Sequence, residues 1–193
     1  AVDLADQLIT GEGDLQLTSY TLSELTLDDS LQGSVDCLFL DVFQVNADNV
    51  YDLVVKTEFQ SYDDVYRDIP EADRPARPGE AAAEAPAEEA MGEPLKVGLS
   101  FSDFATERWQ NEEILMRGLL EELGYEVLSQ EANHDVKLQN DQIDNMVAQD
   151  VAAIIVIAED GDAAATAADK AADAGVHVIA YDRLIKSTKI AAY

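Results

Sequence analysis

Two short stretches carry the side chains best suited to chemistry. The first, SFSDFATERW (100–109), offers Asp103, Glu107, Arg108 and Trp109. The second is Asp182 with Arg183, two opposite charges side by side where the apolar run VHVIAYD (176–182) stops. A carboxylate accepts hydroxyl protons, a guanidinium donates to two oxygens in a fixed fork, and an indole face packs against apolar C–H groups. Together these groups suit a ligand with many hydroxyls and little charge, such as a monosaccharide. The plainer alternative for Asp182 and Arg183 is a strand-end ion pair of small energetic weight. Trp109, taken alone, reads as helix core before it reads as a ligand platform.

Other chemistry finds less footing. Neither G-x-G-x-x-G nor G-x-x-x-x-G-K-[ST] occurs, so a nucleotide site lacks its phosphate cradle. His134 and His177 stand far apart without cysteine partners, and the reading is of no metal site. The run NHDVKLQND (133–141) lacks calcium-loop spacing and reads as a cap for the helix after it. Ser100 and Ser102 have no base near them in sequence, and no catalytic arrangement can be argued. No cofactor and no enzyme activity are expected.

The elements that must position these residues alternate strand and helix. LKVGLS (95–100), YEVLSQEA (125–132), VAAIIVIA (151–158) and VHVIAYD (176–182) read as strands, and KIAAY (189–193) as the start of a fifth. Between them, 107–124, 138–149 and 162–175 read as helices, the first with Trp109, Ile114, Leu115, Leu119, Leu120 and Leu123 on one face. Gly124 and Gly175 are natural stops. Fully apolar strands alternating with helices predict an α/β, Rossmann-like parallel sheet covered on both faces. Ligands of such sheets bind at the carboxyl ends of the strands, where both charged stretches fall.

Residues 76–94, ARPGEAAAEAPAEEAMGEP, have almost nothing to bury and read as a linker. They divide the chain into 1–75 and 95–193. In the first block, 1–13 predicts a helix ended by Gly11 or Gly13, and 34–45 a long strand. Short helical turns follow near NVYDLVV and SYDDVYRDI.

Composition sets outer bounds. The chain has 193 residues, 47% hydrophobic, enough for one sizeable core. Its formal charge of −28, from 40 acidic and 12 basic residues, argues against nucleic acid as a partner. The lone Cys37 reads as a small buried hydrophobe. No apolar run approaches the roughly 18 residues of a membrane-spanning helix. The opening AVDLADQLIT, without Met or a basic leader, reads as a mature form or a fragment.

The stretches LKVGLSFSDFATERWQNEEILMRGLLEELGYEVLSQEAN, QIDNMVAQDVAAIIVIAEDG and AADAGVHVIAYDRLI resemble the amino-terminal lobe of the xylose-type sugar-binding proteins of bacterial ABC importers. These are type I periplasmic binding proteins. The resemblance runs through 95–193, with ERW and AYDR its most specific elements. It implies a two-lobe receptor that closes on a monosaccharide and delivers it to a membrane permease, in the periplasm or at the cell surface. On it, Arg108, Asp182 and Arg183 match sugar-contacting positions, with Asp103 and Trp109 beside them. Residues 1–69 are similar to the same family's carboxyl end. The order is therefore permuted, and most of the second lobe is missing. An engineered lobe, a junction in a tandem array and an assembly module that lost transport all remain open. The expected partners are a monosaccharide, a permease, and the missing lobe or another copy of the chain.

Overall fold

The structure, a computed structural model, describes residues 1–39, 44–56, 60–77, 94–105 and 107–193. In chain order the elements are α1 (Val2–Thr10), β1 (Thr18–Thr21), α2 (Leu22–Thr26), β2 (Ser34–Cys37), a π-helical turn (Tyr51–Val55), α3 (Tyr62–Val65) and a 3-10 turn (Glu71–Asp73). Then follow β3 (Lys96–Phe101), α4 (Glu107–Glu122), β4 (Glu126–Glu131), α5 (Val136–Ala148), β5 (Val151–Val156), α6 (Gly161–Asp173) and β6 (His177–Ala180).

The chain divides into two compact units, Ala1–Leu38 with Glu88–Tyr193, and Phe39–Ala87. This differs from the division the sequence suggests. Residues 1–38 share a unit with the sheet, because their apolar side chains complete its two faces. The expected linker at 76–94 lies almost wholly outside the described residues.

The larger unit is built on a parallel sheet of order β4-β3-β5-β6. Successive side chains of a strand point to opposite faces, and β5 shows it. Ala153 and Ile155 join Val97, Leu99, Phe101 and Ile179 under α1 and α4, which bring Val2, Leu4, Ala5, Trp109, Met116 and Leu120. Ile154 and Val156 join Val178 and Ala180 under α5 and α6, with Leu22, Val35 and Cys37 closing that side. Alanines 164, 167, 168 and 171 line the buried side of α6 and leave room for close packing. Both faces are thus covered, as continuously apolar strands require.

Asp135 caps α5 by accepting from the Leu138 amide, and Asp160 caps α6 by accepting from the Asp162 and Ala163 amides. The expected fifth strand is reduced to one parallel bridge, Ile179 to Ala192. The last residue ties that edge to β2, with the Tyr193 amide donating to Asp36 and the Leu38 amide to the Tyr193 carbonyl.

Two sequence expectations are corrected. The long strand over 34–45 is regular only at Ser34–Cys37, where it pairs antiparallel with β1; residues 40–43 fall outside the described ones. On α4 the buried stripe is Trp109, Met116 and Leu120, whereas Ile114, Leu115, Leu119 and Leu123 are exposed. At 100° per residue, positions 109, 116 and 120 share one line, and 114 lies nearly opposite it.

In the smaller unit, the Tyr62 and Tyr66 rings lie 5.0 Å apart and the Arg77 guanidinium covers Tyr62 at 4.6 Å. Ser61 caps α3 by accepting from the Asp64 amide.

Candidate functional site

The carboxyl ends of β3 and β6 flank that of β5, so the turns that follow them open at the same rim. There Arg108, on the first turn of α4, meets Asp182, just past β6. Arg108 Nη2 donates to Asp182 Oδ1 at 2.8 Å, and its Nε donates to Glu112 Oε1 at 2.7 Å. Its guanidinium carbon stands 4.3 Å from the centre of the Trp109 ring. Arg183 reaches the same ring from further off, at 5.8 Å, and its Nη1 donates to the Ala158 carbonyl at 3.0 Å. The sequence expectation that these groups share one rim is met.

Each residue is held there for a local reason. Asp182 has φ 63, a left-handed conformation that Asp tolerates better than most residues. That turn swings its carboxylate out of the strand line. Glu112 follows Arg108 by one helical turn, so an i,i+4 pair fixes the guanidinium. Hydrogen bonding to Glu112 pushes the already high Arg108 pKa up; burial opposes this, and Asp182 adds to it. The neighbouring Tyr181 phenol is also pushed up, first by burial and then by Glu112.

Trp109 is only 5% exposed and packs with Phe101, centroid to centroid 6.5 Å. Its place is beneath the arginines, supporting them, rather than open to a ligand face. Asp103 is also buried and sits in an adjacent group. Its Oδ1 accepts from the Ala105 amide, and its Oδ2 accepts from Ser102 Oγ and lies 3.8 Å from His134 Nδ1. Glu159 links the two groups, 3.2 Å from His134 Nδ1 and 3.5 Å from Arg183 Nη1.

Three side chains that brace the rim and its neighbouring group lie outside the sequence expectation: Glu112, Glu159 and Gln139. The i,i+4 spacing of Glu112 from Arg108 was a usable signal. Glu159 and the buried Gln139 gave none: Gln139 Nε2 donates to the Ile157 carbonyl and its Oε1 accepts the Glu159 amide, contacts that only the strand order creates.

Chemically, the rim sets hydrogen-bond donors and acceptors side by side. One Asp182 oxygen serves Arg108, and a carboxylate has about four lone-pair positions, so it can take hydroxyl protons without breaking that pair. Arg108 and Asp182 side chains are 54% and 33% exposed, accessible from solvent yet braced.

Residues 97–193, half of the chain, match the model of the periplasmic binding protein domain. The chain belongs to the periplasmic binding protein family. Its larger unit carries the fold of one lobe of the type I class. The D-xylose-binding periplasmic proteins of Haemophilus influenzae and Escherichia coli K12 are 34% and 32% identical to it over 99 residues, covering 51% of this chain and 30% of each relative. An ABC transporter solute binding protein from Bradyrhizobium sp. BTAi1, solved with bis-tris, is 25% identical with a TM-score of 0.50, covering 52% of this chain and 31% of that one. The match thus spans under a third of each of these proteins. No helix among the described residues is long and apolar enough to cross a membrane.

Proposed function

We propose that the chain supplies one lobe of a monosaccharide receptor, with Arg108, Asp182 and Arg183 contacting a pentose or hexose. The observation that carries this reading is the braced Arg108–Asp182 pair at the carboxyl rim, in a chain of which a 99-residue stretch is 34% identical to a D-xylose-binding periplasmic protein. Trp109 acts as the support of the two arginines. Asp103 takes a neighbouring, indirect place. No bond of the ligand changes; recognition needs only pre-placed hydrogen bonds. The receptor would hand its sugar to an ABC permease from the periplasm or the cell surface; the word "periplasmic" in two relatives' names and "ABC transporter" in that of the solved neighbour support the first part of this.

Residues 1–69 stand, on this reading, for the family's carboxyl end. The packing of α1 on the sheet face beside α4 supports it. The opposite lobe, or another copy of the chain, would complete the cleft.

Calorimetry with xylose, arabinose, glucose and galactose tests the proposal. One lobe buries little of a sugar, so the expected Kd is about 1 mM, near −4 kcal/mol, and binding is lost on Asp182→Ala. Heats that are the same for the variant would overturn the site. Micromolar affinity from this chain alone would overturn its half-site character.

A second reading, a self-assembling module without transport, draws on the exposed Ile114, Leu115, Leu119 and Leu123 of α4. Sedimentation over a range of concentrations separates the two, since a strict monomer removes the second.

A further inference from the structure

We propose that Asp103, His134 and Glu159 form a divalent-cation site beside the sugar rim, suited to zinc-like ions. The three residues follow β3, β4 and β5, adjacent strands of the sheet, so they converge although distant in sequence. One ligand atom from each lies within 4.8 Å of the other two. Around an ion bound at about 2.1 Å, tetrahedral or facial donors stand about 3.0–3.5 Å apart. The His134–Glu159 separation of 3.2 Å meets this, and the His134–Asp103 separation of 3.8 Å needs only a small closure.

Hydrogen bonding alone satisfies the geometry less well. A single imidazole nitrogen faces two carboxylate oxygens but has at most one proton to give. The nearer contact, 3.2 Å, is longer than the roughly 2.7–2.9 Å of a charge-assisted bond. An ion at the centre of the triangle engages all three groups together.

The surroundings hold the donors as an outer shell does. Ser102 Oγ and the Ala105 amide fix both oxygens of the buried Asp103. The His134 amide donates to the Ser102 carbonyl at 2.9 Å, and left-handed φ values at Asn133 and His134 (48 and 62) turn the chain back over the strand ends. The Glu159 amide is anchored on Gln139 at 2.8 Å. His134 is half exposed, which leaves an entry for the ion and for water on its open positions. One nitrogen and two oxygens favour zinc, nickel or manganese over calcium, which takes six to eight oxygens. Arg183 Nη1, 3.5 Å from Glu159, is the competing cation; on metal binding it keeps the Ala158 carbonyl. The inference does not depend on the sugar reading.

The test is zinc titration of the full chain by calorimetry in 0.15 M salt, with cobalt(II) absorption reporting the coordination. The salt suppresses loose counter-ion binding by a chain of charge −28. One equivalent is expected to bind. His134→Gly, which accepts the left-handed backbone, and Glu159→Gln are each expected to weaken it at least tenfold. Asp141→Asn, an exposed acidic control, leaves it unchanged. Equal uptake by parent and both variants would overturn the site, as would only weak, multi-equivalent binding. Circular dichroism checks folding, and Glu159→Gln, nearly isosteric, decides the matter if the glycine variant is unstable.

Discussion

Asp182 does two things at once: it holds a left-handed turn and presents a carboxylate to Arg108. Asparagine tolerates the same turn, so Asp182→Asn separates charge from backbone. A lost charge-assisted bond is worth about 1.5–3 kcal/mol, so sugar affinity should fall at least tenfold by calorimetry. The ion pair is a third to a half exposed, so folding stability should move by less than about 1 kcal/mol in urea melts. Tyr125 offers a residue-scale test of pH. Its hydroxyl donates to Asp6 Oδ1 at 2.6 Å, and burial, then that bond, push the phenol pKa well above 10.0. The folded state therefore keeps the proton longer than the unfolded one. The contribution is whole below pH 10 and is lost as pH rises beyond it. The urea midpoint should drop above pH 10, and drop less in Tyr125→Phe. At this scale the sequence exposed Arg108 and Asp182 because one opens the helix that follows β3 and the other lies just past β6, on a common rim. It hid the Asp103–His134–Glu159 group, because nothing local says which strands become neighbours.

Secondary-structure elements were legible where their apolar period was strong, and β3 to β6 and α4 to α6 fall within about two residues of the pattern. The buried face of α4 was legible only at Trp109 and Leu120, because five leucines and isoleucines competed for it and tertiary packing added Met116 and left Ile114, Leu115, Leu119 and Leu123 outside. The choice is testable as a pair. Leu120→Ala empties a fully buried position and should cost about 2–5 kcal/mol. Leu119→Ala, at a 42% exposed position, should cost under about 1 kcal/mol in the same urea melts. The start of α6 carries a second element-scale prediction. A Cβ on Gly161 would stand 2.1 Å from the Leu184 carbonyl oxygen, backbone that cannot swing aside as a flexible side chain can. That carbonyl follows Arg183, and the Lys186 amide donates to Gly161 on the same loop. Gly161→Ala should therefore cost about 1–3 kcal/mol and also weaken sugar binding, although Gly161 touches no proposed ligand. Unaltered calorimetry would show that the loop absorbs the shift without moving Arg183.

At the scale of the whole molecule, composition separated 1–75 from 95–193, yet burial joins residues 1–38 to the sheet. The linker is conspicuous because it carries almost no large apolar side chain; the docking of α1 is not, because its few apolar side chains could cover any sheet. The physical consequence is that 94–193, the part most similar to known receptors, is not a finished core. Removing 1–38 would strip Val2, Leu4 and Ala5 from the face of Leu99, Ile155 and Ile179, and Leu22, Val35 and Cys37 from the face of Ile154 and Val178. A fully buried Val or Leu contributes about 1.5–3 kcal/mol, so the four large ones alone approach the whole stability of a typical domain, about 5–15 kcal/mol. A chain of residues 94–193 should therefore unfold without a cooperative urea transition and bind a dye specific for exposed apolar surface. A peptide of residues 1–38 added in excess should restore the transition, because it stabilises only the folded form. If 94–193 alone melts as sharply and as late as the full chain, the first segment is an ornament on a complete lobe, and its packing contributes little to the rim where Arg108 and Asp182 meet.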